Sequence, residues 1–428
     1  MILKNLLPVA YMNKKSKTTE KTAVKKYGGA LLEPYNREAC EVCGRCLMEC
    51  PVMGLSEAEA KKEMTAMREG RPGRRVLENC ETCMACNLVC PNGANPMMLF
   101  QQRFYEEHQR AGLPEWSQYF QPHEPGNFRA DMIAQHTPAE KKLLAKWTDM
   151  SPCEEFAYAG CNICSAPYLT QAKFLQDLNI RGSVDYCCGE MYFRTGMLDQ
   201  LRQTAARLNL YFEKLGASRM MVLCTAGYNI FTNVLPRYGL ETNMEITSYL
   251  PWLWQKLESG EIEVKKPLDM TVTIQESCHA KVIGPEYYEL PRKIAEKLGC
   301  KVKEMRHSKE CAYCCGIGGG FPAKKNYHPL AITRATLRAV YEADRAGSDA
   351  VMAYCAGCFV SFSAGLAVYP TRKPVFHVFE MVQMAAGETP KRFNTARGRQ
   401  FLFGVMKKQM PKALSRKHFP APDISVEP

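Results

Sequence analysis

The segment DAVMAYCAGC, Asp349–Cys358, runs an apolar stretch straight into two cysteines spaced by two residues, and its reading decides the fold. TVTIQESC, Thr271–Cys278, has the same form. Short apolar, β-branched runs of this kind predict buried parallel strands, each ending in a cysteine. Between them CAYCCGIGGG, Cys311–Gly320, sets Cys314 beside Cys315. Adjacent Cα atoms sit about 3.8 Å apart, shorter than the usual disulfide span, so a bridge within the pair is strained and both thiols need partners elsewhere. The same order occurs once before, as FAYAGC (Phe156–Cys161), VDYCCGEM (Val184–Met191) and RMMVLCTAG (Arg219–Gly227). Helical segments, Leu198–Gly216 and Ala331–Gly347, separate each vicinal pair from the next strand. This alternation predicts two similar α/β lobes with parallel sheets, the cysteines lying at the carboxyl ends of strands, where such sheets collect ligands. Cys278, Cys314, Cys315, Cys355 and Cys358 then converge on one mouth, with the vicinal pair as a double ligand.

A second pattern lies nearer the N-terminus. CEVCGRCLMECP carries Cys40, Cys43, Cys46 and Cys50 before Pro51, and CETCMACNLVCP carries Cys80, Cys83, Cys86 and Cys90 before Pro91. Both obey C-x2-C-x2-C-x3-C-P, a spacing that places three thiolates around one corner of a [4Fe–4S] cube and sends the fourth to the neighbouring cube. One cluster therefore takes Cys40, Cys43, Cys46 and Cys90, and the other takes Cys80, Cys83, Cys86 and Cys50. Tetrahedral zinc is the competing reading, but it leaves the third cysteine and the duplication unexplained. The intervening EAEAKKEMTAMREGRPGRRVLEN, Glu57–Asn79, favours helix until Gly70, and helical periodicity resumes over Pro96–Gly112. This part resembles the α-helical ferredoxin domain of respiratory iron–sulfur proteins.

Composition sets the outer limits. The chain has 428 residues, 46% of them apolar, 21 cysteines and a formal charge of +12, which suits a multidomain soluble protein with grouped cysteines that bind metal in a reducing cytoplasm. The first residues lack a secretory pattern, and no apolar run is long enough for a transmembrane helix. The basic run Asn13–Lys26 reads as a solvated extension. No interleaving of aromatic and basic residues points to nucleic acid, so the charge fits an acidic partner or peripheral contact with the inner face of a membrane. The tail from Arg397 to Phe419 mixes apolar and basic residues, which suits either a membrane surface or a packed terminal helix ending near Pro411.

The spacing C-x35-CC-x39-C-x2-C, from Cys278 to Cys358, resembles the cysteine-rich CCG domain of the B-type component of heterodisulfide reductase. With the helical module in front, residues 35 to 390 resemble the D-type component of that family and its bacterial relatives. The fold expected is multidomain α + α/β: a basic extension over 1–34, a helical ferredoxin domain with two cubane clusters over 35–112, a linker over 113–150, a first CCG lobe over 151–264, a second over 265–390, and a basic tail over 391–428. The resemblance implies that Cys278, Cys314, Cys315, Cys355 and Cys358 hold a noncubane [4Fe–4S] cluster where a disulfide is reduced. It also implies a redox partner in a larger complex, whether flavoprotein, ferredoxin or membrane cytochrome. The rival is a pure electron relay with no substrate of its own.

The first lobe departs from the pattern, because Gly227 stands where a thiol would answer Cys358. Cys161, Cys187, Cys188 and Cys224 then hold a further, different cluster or are buried relics. His279 is a candidate to hydrogen-bond sulfur or protonate a leaving thiolate, or else a histidine with no catalytic duty. The glycines of Gly316–Phe321 let backbone pass close to a bulky group. Lys281, Lys324 and Lys325 either draw an anionic substrate or are simply solvated. Cys153, Cys164, Cys300 and Cys311 fit no motif and read as inert.

Overall fold

The computed structural model describes residues 27–71, 73–318, 330–369, 371, 373–412 and 415–427. Most of the basic extension, together with Gly319–Phe321, Lys324 and Lys325, lies outside the described residues.

Among the described residues, 27–112 form helices and turns without a strand: Arg45–Met48, Glu57–Arg68, Arg74–Asn79, Ala85–Val89 and Pro96–Ala111. The Glu57–Arg68 helix starts at a capping box, Ser56 Oγ accepting from the Glu59 N–H while the Glu59 carboxylate accepts from the Ser56 N–H. Its apolar face, with Ala60, Met64 and Met67, packs on Leu47, Val76 and Phe100.

The strands follow in chain order as β1 (Leu113–Pro114), β2 (Glu155–Tyr158), β3 (Ile180–Arg181), β4 (Arg219–Val222), β5 (Glu245–Ser248), β6 (Thr271–Gln275), β7 (Lys301–Val302), β8 (Ala350–Ala353), β9 (Val375–His377) and β10 (His418–Phe419). Two four-stranded parallel sheets result, ordered β3-β2-β4-β5 and β7-β6-β8-β9. Each lobe therefore repeats one topology, in which the second strand lies outside the first and the chain then crosses back, with helices covering the sheet. Strand β8 is buried at every residue, as a central strand covered on both faces must be.

The reading of 113–150 as a linker is corrected by the packing. Its prolines punctuate folded elements: a 3₁₀ turn at Glu115–Phe120 and helices Phe128–Ala134 and Pro138–Trp147. Trp116, Phe120, Phe128 and Met132 are buried against Val360 and Ala364 of the second lobe and Phe401 and Val405 of the tail. Burying each of the three phenylalanines contributes roughly 1.5–3 kcal/mol. The tail is accordingly a packed terminal helix, Asn394–Gly404, extended by wider and then tighter turns to Lys412. Arg397 is buried and donates twice to Glu140, at 2.7 and 2.6 Å. Burial opposes ionisation of Glu140, and the guanidinium overrides it, holding the carboxyl below its usual range.

This tail helix crosses the Ala356–Leu366 helix at Gly398, where an added Cβ would stand 2.8 Å from the Ala364 backbone nitrogen. Neither backbone can yield, so Gly398→Ala is expected to destabilise the protein by about 1–3 kcal/mol, measured by denaturant unfolding. An unchanged midpoint would mean the two helices do not meet this closely.

His377 gives a pH dependence. It ends β9 in the core, with Nδ1 accepting from the Phe379 N–H at 3.3 Å, and burial pushes its pKa down to about 3. The unfolded chain takes up this proton near the ordinary value of about 6.5, whereas the folded chain resists it. Stability is therefore full above 6.5 and declines as pH falls below it, by about 1.4 kcal/mol per pH unit. Unfolding midpoints between pH 7.5 and 5.5 should fall more steeply in the wild type than in His377→Asn, which keeps a cap without the titration.

Candidate functional site

Two cavities in the helical part are lined by thiols. One is bounded by Cys40, Cys43, Cys46 and Cys90, the other by Cys50, Cys80, Cys83 and Cys86 with Cys46 on the shared wall. Left-handed residues, Gly44 in one run and Met84 in the other, open the short helices that carry Cys46 and Cys86. The runs thus place their thiols alike. Burial and then Cys83 push the Cys50 thiol up to about 12, while Cys46 is pushed up by burial and then by Cys90, Cys43 and Cys40. Thiols that resist ionisation on their own become thiolates when a metal neutralises them. Each cavity is ringed by four thiols, a donor set that suits an iron–sulfur cluster. Cys43 is exposed, whereas Cys83 is buried and packs in one cluster with Cys188, Cys278 and Cys314.

The second-lobe thiols lie where the strand ends bring them. Cys278 follows β6, Cys355 follows β8 and begins the helix carrying Cys358, and Cys314 and Cys315 come from the loop between. All five are at most 4% exposed. Neighbouring thiols bias one another's ionisation in series, Cys278 with Cys314, Cys314 with Cys315, Cys315 with Cys358 and Cys358 with Cys355. Cys314 is held well below the ordinary thiol range by bonds from Cys278 and Cys315, and Cys355 by bonds from Cys224 and Cys358. The backbone turns sharply after the vicinal pair. Gly316 has φ +96°, and a Cβ there would lie 2.9 Å from the Thr336 backbone nitrogen.

Several side chains at this mouth carry no motif. Cys224 of the first lobe reaches Cys355 at 3.9 Å between sulfurs, so the lobes face each other through thiols. Arg194, 2% exposed, donates to Cys278 Sγ at 2.7 Å. On the first-lobe side, Cys187 donates to Cys161 at 3.4 Å, and the charge of the buried Arg129 favours the Cys161 thiolate. A Cβ at Gly227 would stand 3.1 Å from Val222 Cγ1 and 4.0 Å from Cys188 Sγ. Nothing in the spacing of the sequence marks the two arginines. Arg194 sits in MYFRTG, after three apolar residues, and Arg129 in NFRADM, beside Asp131.

His279 is corrected by its partners. Asn229 Oδ1 accepts from Asn233, which turns the Asn229 amide nitrogen toward His279 Nδ1 at 3.0 Å; Nε2 then carries the proton and donates to Glu190 Oε1 at 3.0 Å. Both ring nitrogens are engaged and neither meets sulfur. Burial would raise the Glu190 carboxyl, yet Arg194 and His279 hold it below its usual range. Lys281 is likewise buried and donates to the Ala312 carbonyl at 2.6 Å, pinning the loop that carries the vicinal pair instead of greeting a substrate. Cys164 donates to the Ala159 carbonyl at 3.6 Å and is structural.

Residues 272–363 match the model of the cysteine-rich CCG domain, which contains all five second-lobe cysteines. The D component of dihydromethanophenazine:CoB–CoM heterodisulfide reductase from Methanosarcina barkeri is 24% identical over 394 residues, covering 82% of this chain and 94% of the relative. Its counterpart in Methanosarcina mazei is 25% identical, covering 73% and 78%. EtfAB:quinone oxidoreductase of Syntrophomonas wolfei is 25% identical over 64% of this chain, which spans 41% of that relative. With its thiol array, its paired lobes and these likenesses, the chain is an iron–sulfur protein like the D component of heterodisulfide reductase, and an oxidoreductase of that type.

Proposed function

We propose that the chain carries electrons between a partner protein and a noncubane [4Fe–4S] cluster held by Cys278, Cys314, Cys315, Cys355 and Cys358, and that a disulfide is reduced there. The observation that carries this reading is the serial placement of the thiols. The cavity of Cys40, Cys43, Cys46 and Cys90 includes an exposed cysteine at the surface, the cavity of Cys50, Cys80, Cys83 and Cys86 lies behind it, and Cys83 packs into the cluster of side chains that holds Cys278 and Cys314. Two cubanes in these cavities would lead from the surface to the mouth between the lobes. When bound, the noncubane cluster would supply single electrons, two of which with two protons convert a disulfide to two thiols.

The protein's own residues prepare that place. The vicinal pair offers two sulfurs from one sharp turn, Lys281 fixes the turn, and burial keeps bulk water from the thiols. The exposed edge near Cys43 is the docking side for a flavoprotein, ferredoxin or membrane cytochrome. No helix among the described residues is long and apolar enough to cross a membrane, so a membrane partner would be met peripherally, with this chain on the cytoplasmic side.

The test uses the purified, reduced protein. Adding a low-molecular-weight disulfide and oxidising by one electron should produce a new paramagnetic signal that is absent in Cys315→Ala. A wild-type protein that shows the same spectra with and without disulfide is a relay instead.

A further inference from the structure

Arg194 lies near the end of the helix Glu190–Thr195, shortly after Cys188, and its guanidinium is directed at two distant regions. One terminal nitrogen donates to Cys278 Sγ at 2.7 Å, with Cys314 Sγ at 3.7 Å. The other donates to the Glu81 carbonyl at 3.1 Å, to the Thr82 carbonyl, and to Thr82 Oγ1 at 3.3 Å. Nε meets Glu190 Oε1 at 2.8 Å. Glu81 and Thr82 lie between Cys80 and Cys83, so a single buried cation spans the loop of one thiol group and the sulfurs of another. Room for it is provided from the opposite lobe, since a Cβ at Gly318 would stand 2.8 Å from its Nε.

We propose that Arg194 is a positioning residue for the redox reaction: it fastens the Cys80–Cys83 loop to Cys278 and Cys314 and offsets the negative charge of the second-lobe sulfur centre, raising that centre's reduction potential. The inference rests on the reading of those five cysteines as cluster ligands. A fixed cation beside thiolates in a dry interior acts through a low dielectric, and charge and hydrogen bonds at sulfur are the levers that set the potential of such centres. Arg194 stays protonated throughout and transfers nothing. Glu190 opposes it, because its carboxylate neutralises part of the guanidinium charge, so removing the carboxylate acts with the opposite sign.

The experiment is a redox titration of the intact, cluster-loaded protein followed by electron paramagnetic resonance, which separates the centres. Arg194→Gln is expected to lower the midpoint of the second-lobe centre, and Glu190→Gln to raise it. Arg194→Lys keeps the charge and is expected to stay near the wild type. Arg338→Gln is the control for docking: Arg338 donates twice to the Glu81 carboxylate, at 2.7 Å each, and so holds the same loop by another route. Arg338 also feels the Cys314 sulfur, but its hydrogen bonds go to the Glu81 carboxylate, so this variant is expected to lower the midpoint less than Arg194→Gln does. Shifts of the same sign in Arg194→Gln and Glu190→Gln, or a shift in Arg194→Lys as large as in Arg194→Gln, overturn the proposal, because packing damage has no sign. Should Arg194→Gln fail to load iron, an unmoved midpoint in Glu190→Gln overturns it equally. If the functional reading is at fault instead, the wild-type protein itself shows no centre that disappears in Cys315→Ala.

Discussion

Cys314→Ala should leave a protein with roughly two thirds of its iron, the two cubanes intact and no response to disulfide. Cys314 stands between Cys278 and Cys315, whose thiols both bias its ionisation, and it is the sulfur that Arg194 approaches second. Removing it parts Cys278 from the other thiols and leaves a bulky cluster short of a ligand, so the loss is expected to be complete. Iron counting and the spectra of the remaining clusters check this. Cys187→Ala is the comparison. The first lobe has the same topology, and Cys187 lies 3.4 Å from Cys161, but Gly227 supplies no fifth thiol. Its expected cost is the stability of a buried cysteine, about 1 kcal/mol, with little iron lost. Equal iron loss in both variants would show that the first lobe carries a full cluster.

The second large effect concerns the crossing of ligands in the helical part. Cys50 belongs by sequence to the run that begins at Cys40, yet it lines the cavity of Cys80, Cys83 and Cys86. Cys50→Ser should therefore remove or convert the cluster of the later run, while the cluster of Cys40, Cys43, Cys46 and Cys90 keeps its signal. Since Cys83 belongs to the same buried cluster of side chains as Cys278 and Cys314, the same variant is expected to stop electron delivery to the second lobe, read as loss of its reduction by a protein donor while dithionite still reduces it. Damage confined to the cluster of the earlier run would reverse the ligand assignment.

Parallel strands were legible because Thr271–Gln275 and Ala350–Ala353 are apolar or β-branched at nearly every residue and each leads into a cysteine. The repeat was legible for the same reason, twice over. What could not be read was whatever depends on distant packing. The segment 113–150 looked like a linker because its prolines are local signals, whereas the burial of Trp116 and Phe120 comes from residues far later in the chain, Val360 and Phe401 among them. His279 beside Cys278 suggested sulfur chemistry, but neighbours in sequence point their side chains differently, and Glu190 and Asn229 take both its nitrogens. Arg194 and Arg129 left no pattern at all, since one cation has no spacing.

The tail limits how the protein can be divided. After the helix Asn394–Gly404 on the second lobe, β10 pairs antiparallel with β1, and Pro422 to Ser425 run along the first lobe, where Gln200, Gln203 and Arg207 bind their backbone. The last residues thus bind elements from every part of the chain beyond the thiol-bearing helices of residues 27–112. A fragment cut at residue 390, where the sequence suggests a clean border, would expose Phe120, Phe128, Val360 and Ala364 together and invite aggregation. The pieces that can be named separately are therefore not pieces that can be expressed separately, and recombinant work on either lobe needs the tail supplied with it.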